Sequence, residues 1–275
     1  MAGTSDSSPV ADPSRPGQAA AGPRAGGPRL GGPHFAAPPP EVDGIVRALP
    51  ARGAVPSGGA AAWLNALAPT ARAYEPLWRH RSVGLLSRGA FTTVRELATM
   101  RAWLAPLEGR DVLDLGCSSG LYARTLTAAG ARVHALDASL AFLREAKRLA
   151  ECDGVALTLV HADAHALPYE DGGFDAVAVG ATLNEFADPE RALAEVARVL
   201  RPGGRAWFMY AARGGGPGRA VQALMGLGGL RFPDPAEVDA WAVAAGLTPL
   251  RSERRGPVVM ALYGRGEGLP ALDAR

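Results

Sequence analysis

Asp111-Val-Leu-Asp-Leu-Gly-Cys-Ser-Ser-Gly120 decides the fold of this chain. Val112, Leu113 and Leu115 make a short apolar run that stops at a glycine, the pattern of a buried parallel strand opening into a tight turn. Leu121, Ala123, Leu126 and Ala129 then recur at helical spacing, and Gly130 stands where a C-terminal cap belongs. The unit is strand, glycine loop, helix. In an open α/β sheet such a loop lies at the carboxyl end of its strand, where ligands bind, and its glycines let a ligand come close to the backbone.

Downstream, strands and helices continue to alternate. Arg132-Val-His-Ala-Leu-Asp137 is a second apolar strand, ending in a carboxylate 17 residues past Gly120. An acid at the tip of the neighbouring strand is placed to accept both hydroxyls of a ribose. The competing reading of Asp137 is an N-cap for the helix Ser139 to Cys152, although Ser139 is itself at hand to cap. Val155 to Val160 reads as a third strand and Phe174 to Val179 as a fourth, too apolar for a sheet edge and therefore central. Gly180 to Asn184 should lie at its carboxyl end, facing the first glycine loop. Asp188-Pro-Glu starts a helix that turns Ala192, Leu193, Val196, Val199 and Leu200 inward and stops at Pro202-Gly-Gly204.

Arg205 to Tyr210 supplies a fifth strand, and Gly214 to Gly218 a flexible connector. Arg219 to Leu230 is a short amphipathic helix whose Val221, Leu224, Met225 and Leu227 read most simply as core. Asp234-Pro-Ala-Glu237 repeats the cap, proline and acid pattern, starting a helix that ends at Gly246. Thr248 to Glu253 and Val258 to Tyr263 form a hairpin.

The ends of the chain differ in composition. Residues 1–58 are rich in Gly, Pro, Ala and Ser and poor in large apolar side chains, so they are expected to be a disordered tail in which only Glu41 to Leu49 could dock. Residues 59–107 are expected to be helical. Trp63, Leu64 and Leu67 suit one short helix, Tyr74, Leu77, Trp78 and Arg81 another, and Thr92 to Leu104 a third with Thr93 as N-cap and Glu96 three residues on. Residues 265–275 read as a flexible tail.

Of 275 residues, 48% are hydrophobic, enough for a sizeable core, and the net charge is only +2 with arginines interspersed among carboxylates, so nucleic acid is not an expected partner. The two cysteines, Cys117 and Cys152, lack metal-ligand spacing and make a poor disulfide framework. No apolar run reaches the roughly 20 residues needed to span a membrane, and no secretory signal opens the chain, so the expected location is cytoplasmic.

Asp114-Leu-Gly-Cys-Ser-Ser-Gly120 resembles the first motif, D/E-x-G-x-G-x-G, of the class I S-adenosylmethionine-dependent methyltransferases. Gly116 and Gly120 match its outer glycines, and Ser118 stands where the middle one is usual. Serine is small enough for the turn to survive, though less free than glycine to take a left-handed conformation. His161-Ala-Asp-Ala-His-Ala-Leu-Pro-Tyr169 is similar to that family's G-D-A-x-x-L-P-F segment, and Ala197-Arg-Val-Leu-Arg-Pro-Gly-Gly-Arg205 to its turn before strand five. Each motif is weak alone; their conjunction in order over residues 108–264 is specific.

The resemblance implies an α/β fold: a doubly wound, mostly parallel seven-stranded sheet with an antiparallel C-terminal hairpin and N-terminal lid helices. It implies S-adenosylmethionine as cofactor, its amino-acid end on Asp114 and the loop amides of Gly116, Cys117, Ser118 and Gly120, its ribose on Asp137 beside Ala138, its adenine on the Asp163 side chain and the Ala164 amide, and its methionine end near Gly180. Tyr74, Trp78 and Arg81 are candidates for the acceptor side, and His165, Asn184 and Glu185 for a catalytic role. Motif spacing looks most like the small-molecule enzymes related to quinone-biosynthesis methyltransferases; Ala181-Thr-Leu-Asn184 stands where amino-methylating enzymes carry an N-P-P-Y-type tetrapeptide. Two alternatives share the fold: a nicotinamide-dependent oxidoreductase, which needs a G-x-G-x-x-G loop that this chain lacks, and a non-catalytic protein that binds S-adenosylmethionine for regulation.

Overall fold

A computed structural model describes residues 33–37, 39–49, 67–75, 92–215 and 217–266. They form one nine-stranded sheet. The strands are β1 (Glu41–Val42), β2 (Ile45–Arg47), β3 (Asp111–Leu115), β4 (Arg132–Asp137), β5 (Thr158–His161), β6 (Phe174–Val179), β7 (Leu200–Ala211), β8 (Leu247–Arg255) and β9 (Val258–Arg265). Their order across the sheet is β1-β2-β5-β4-β3-β6-β7-β9-β8. Pairing is parallel from β2 to β7; β1 on β2, and β9 between β7 and β8, run antiparallel. The seven strands from β3 onward are those expected, in a doubly wound order with its switch point between β3 and β6.

The helices are α1 (Ala68–Ala73), α2 (Thr93–Leu104), α3 (Leu121–Ala128), α4 (Leu140–Asp153), α5 (Pro189–Val199), α6 (Pro217–Leu227) and α7 (Pro235–Ala244). Strand alternation sends successive residues to opposite faces of the sheet. Leu113, Leu115, Val177, Val179 and Phe208 pack with α5 and α7 on one face. Val112, Val133, Ala178, Trp207 and Met209 pack with α2, α3 and α4 on the other. Both faces are therefore covered, which is why the strand sequences are continuously apolar.

Several termini follow their sequence signals. Ser139 Oγ accepts from Phe142 N at the start of α4, and Asp188 Oδ1 from Arg191 N at the start of α5. Asp234 and Glu237 make the reciprocal capping box of α7. In α2 the cap sits one residue earlier than expected: Thr92, not Thr93, accepts from Arg95 N. Pro202-Gly-Gly204 is a bulge within β7, across which the pairing with β6 jumps from Phe174–Leu200 to Ala176–Arg205.

One finding extends the sequence reading, which left Glu41 to Leu49 able to dock, and another differs from it. Inside the expected disordered tail, residues 41–47 form the β1–β2 hairpin, and β2 adds itself parallel to β5. Just upstream, Ala36 N donates to Pro168 O and Glu170 N to His34 O. Ile45 is fully buried, and with the partly buried Phe35 and Val46 it anchors this Gly/Pro-rich stretch. The second is α6. Val221, Leu224 and Leu227, read as core, are exposed. Within the expected helical segment 59–107, residues 59–66 and 76–91, Trp78 and Arg81 among them, lie outside the described residues, as do residues 267–275 of the expected C-terminal tail.

Phe35 from this N-terminal stretch stacks on Tyr169 at 5.0 Å and joins a cluster with His134 and Phe174. Burial there lowers the His134 pKa to about 4, with the Asp111 charge acting against the shift. The unfolded chain protonates near pH 6.5, so stability from this neutral histidine is complete above that pH and lost as pH falls towards 4. The loss reaches about 3 kcal/mol at the acid end. In thermal melts between pH 7 and pH 4.5, His134→Gln should lose less stability than the wild type; parallel curves would refute the assignment.

Candidate functional site

At the switch point, the carboxyl ends of β3 and β6 diverge and leave a solvent-open cleft of about 330 Å³. The glycine loop forms one wall with Asp114, Gly116, Cys117, Ser118 and Ser119; Gly180, Ala181 and Thr182 form the facing wall; Tyr74, Leu121 and Tyr122 complete it. The loop is bent by three left-handed residues, Gly116 at φ 71°, Ser118 at φ 49° and Gly120 at φ 80°. Ser118 thus takes the conformation of the glycine it replaces, and its amide is held there by Asp137.

Closing the turn uses most of the amides expected to face a ligand. Gly116 N and Cys117 N both donate to Leu136 O, Ser118 N donates to Asp137 Oδ2 at 2.9 Å, and Gly120 N to Cys117 O. Among the described residues, Ser119 has the one loop amide between Gly116 and Gly120 with no acceptor. Asp114, buried at the end of β3, accepts from Ala123 N in the first turn of α3 at 2.9 Å. Gly120 does not line the cleft; a Cβ there would stand 3.1 Å from the Ala146 Cβ, so its smallness serves the packing of α3 on α4.

Asp137 bridges the loop and the next helix, since its second oxygen accepts from Ser139 N at 2.8 Å. Burial raises its pKa, against the opposing hydrogen bonds from Ser139, Ser118 and Ala138. Further donors would therefore be welcome at this carboxylate. Burial, with the charges of Asp137 and Asp114, also pushes the Cys117 thiol up, so it lines the cleft as a neutral apolar group.

Asp163 and Ala164 stand just past β5, outside the lining of the cleft, and Asp137 pairs with His161 in the sheet register beside them. Ala138 is exposed and also lies outside it. Asp163 Oδ1 accepts from both His165 N and His165 Nδ1. Burial raises the Asp163 pKa, but these bonds and the His165 charge outweigh it and leave it lowered. Its Oδ2 has no partner among the described residues.

The three candidates for a catalytic role are not brought into the cleft. His165 Nε2 lies 3.2 Å from Asp188 N, and its Nδ1 faces Asp163 Oδ1 at 2.6 Å. Asn184 is buried and spends its amide on backbone: Oδ1 accepts from Ala211 N, while Nδ2 donates to Ala211 O and Arg231 O. It clamps the end of β7 and the segment after α6 to the cleft wall. Glu185 is exposed on the far side of that turn.

The roof is held largely by residues to which the sequence reading gave no role at the site. Glu75, directly after Tyr74, accepts from Ser119 Oγ at 2.8 Å and from Arg124 Nη2 through both oxygens, at 2.7 and 2.6 Å. Arg124 also reaches Asp153 on α4. Tyr74 packs edge-on against Phe142 at 5.2 Å. From the other side, the buried Glu96 of α2 accepts a very short hydrogen bond from the Tyr122 hydroxyl. The signal was faint: a buried arginine in the otherwise uncharged Leu121–Ala128 helix, and a glutamate inside α2. At the opposite end of the sheet, buried Asp111 pairs with Arg132 and Arg201, a charge cluster that ties strand beginnings together away from the cleft.

Residues 113–208 match a family model described as a methyltransferase domain. A demethylmenaquinone methyltransferase of Clavibacter sepedonicus is 44% identical over 110 residues, covering 40% of this chain and 44% of the relative. An uncharacterized chloroplastic methyltransferase of Arabidopsis thaliana is 32% identical over 206 residues, covering 68% and 56%. The chain thus spans about half the length of the curated relatives it matches. Among solved structures, the cyclase SpnF superposes with a TM-score of 0.56 at 21% identity, over 63% of this chain and 81% of the other. That likeness is one of fold alone. None of these matches points to a nicotinamide-dependent oxidoreductase.

Proposed function

Residues 113–208 match a methyltransferase domain, and on that premise we propose that the chain is a class I S-adenosylmethionine-dependent methyltransferase that transfers a methyl group from S-adenosylmethionine to a small-molecule acceptor. The observation that carries the reading is the cleft at the switch point, with Asp137 hydrogen-bonded to the loop amide of Ser118 on its border. The residues present fit the cofactor. Asp137 has lone pairs left for ribose hydroxyls and a pKa that added donors would bring down. Asp163 Oδ2 suits an exocyclic amine. Asp114 suits the ammonium of the amino-acid end, with the Ser119 amide as its neighbouring donor.

When bound, S-adenosylmethionine supplies a sulfonium-activated methyl group. What this chain adds is position. In-line alignment of a nucleophile is worth about 7–11 kcal/mol of a barrier. Gly180, Ala181 and Thr182 set the floor against which an acceptor rests, Tyr122 is locked by Glu96, and Tyr74 is held over the loop by Glu75, which shields the reacting atoms from water.

The names of the relatives make a demethylmenaquinone-type ring the first acceptor to test. The full chain, given S-adenosylmethionine and the reduced ring, should form S-adenosylhomocysteine and a methylated product in equal amounts. Stabilisation by NAD, with none by S-adenosylhomocysteine and no turnover across phenolic, quinol and amine acceptors, would overturn the reading.

A further inference from the structure

Helix α6 is built inside out. Its polar Gln222 faces the protein, where Nε2 donates to Ala212 O at 2.9 Å and Oε1 accepts from Gly214 N at 2.8 Å. Three of its large apolar residues face away, while Met225 is half-buried: Val221 is 59% exposed, Leu224 69% and Leu227 84%. Spaced three residues apart, they form one stripe. From Ala211 to Pro233 the only charged residues are Arg213, Arg219 and Arg231, and all three are exposed. The helix is fastened beside the cleft at its middle, by Gln222 to Ala212, and just past its end, by Asn184 to Arg231.

We infer that α6 is a docking helix for an anionic lipid surface. An apolar stripe flanked by arginines and lacking any carboxylate is the chemistry that inserts below lipid headgroups while its cations meet their phosphates. A protein partner is less well matched, because a protein groove that took this stripe would also have to supply acids to Arg219 and Arg231, Arg213 being already paired with Glu237 at 3.3 Å. Nucleic acid would have no use for the exposed leucines. No helix of the described residues is long and apolar enough to cross a membrane, so the contact is with one face of a bilayer. Docking by α6 sets the Ala181–Asn184 wall of the cleft next to the lipid, where an acceptor with an apolar tail would be met without leaving the bilayer.

The test uses the full chain and vesicle flotation, with no methyl transfer, so its failure is separate from that of the catalytic reading. Wild type should float with vesicles of phosphatidylcholine and phosphatidylglycerol, and much less with phosphatidylcholine alone or at high salt. Leu224→Glu and Leu227→Glu should each cut the bound fraction roughly tenfold, with thermal melting unchanged because both positions are exposed. Joint replacement of Arg219 and Arg231 by Gln should remove the preference for the anionic lipid. Absence of flotation, or flotation untouched by Leu224→Glu, overturns the proposal. So does a dimer in light scattering that becomes a monomer in Leu224→Glu while neither protein binds vesicles, since the stripe would then serve self-association.

Discussion

Asp137→Ala is expected to weaken binding of S-adenosylhomocysteine, measured by calorimetric titration, by roughly two orders of magnitude. Two hydrogen bonds from ribose hydroxyls to a carboxylate at about 1.5–3 kcal/mol each account for a loss of that size. The variant also strips partners from Ser118 N and Ser139 N, so lost affinity could reflect a disturbed loop. Ser139→Ala, which keeps both backbone donors on Asp137, tests whether lost helix stability alone moves the affinity. It removes the α4 cap and about 1 kcal/mol of stability but no ligand contact, and its affinity should stay at the wild-type value. Equal affinities for Asp137→Ala and wild type would remove this carboxylate from the site.

The second large effect comes from the narrowest point of the cleft. Thr182 Oγ1 donates to Gly116 O at 2.9 Å, so the two walls touch at the back. A Cβ on Gly116 would fall 2.3 Å from Thr182 Cγ2, 2.5 Å from its Oγ1 and 2.7 Å from its Cβ, and φ there is +71°. Gly116→Ala should therefore force β3 and the 181–184 turn apart, costing about 2–4 kcal/mol of stability and most of the ligand affinity. Thr182→Gly in the same chain removes every one of those contacts. It should restore part of the loss and leave about 1 kcal/mol of backbone strain. A Gly116→Ala protein that melts and binds like wild type would show that the walls do not approach this closely.

How far the sequence speaks depends on the range of the interaction. The strands from β3 to β9 were legible because a parallel sheet covered on both faces needs unbroken apolar runs, and the caps at Ser139, Asp188 and Asp234 because they act within three residues. Asp137 was legible for the same reason: its position at a strand tip follows from its spacing. Glu75 was not, because its partners Ser119 and Arg124 lie 44 and 49 residues away and no local pattern announces such a pair. Asn184 looked chemical at a strand end and proved to be a bracket, its amide matched to one backbone N–H and two carbonyls. For α6, the helical period was read correctly but not which side faces solvent, since periodicity fixes a stripe and leaves its direction to tertiary structure.

The hairpin at Glu41–Arg47 changes what the β5 border of the sheet offers to other molecules. Without it, the backbone of Thr158–His161 would present bare donors and acceptors to any extended chain in solution, an invitation to polymerise edge to edge. With it, the border becomes a two-residue strand turned by Asp43 and Gly44 at positive φ and pinned by Lys147 Nζ on Asp43 O, too short and too bent to template another ladder. The hairpin thereby acts as a built-in guard against aggregation.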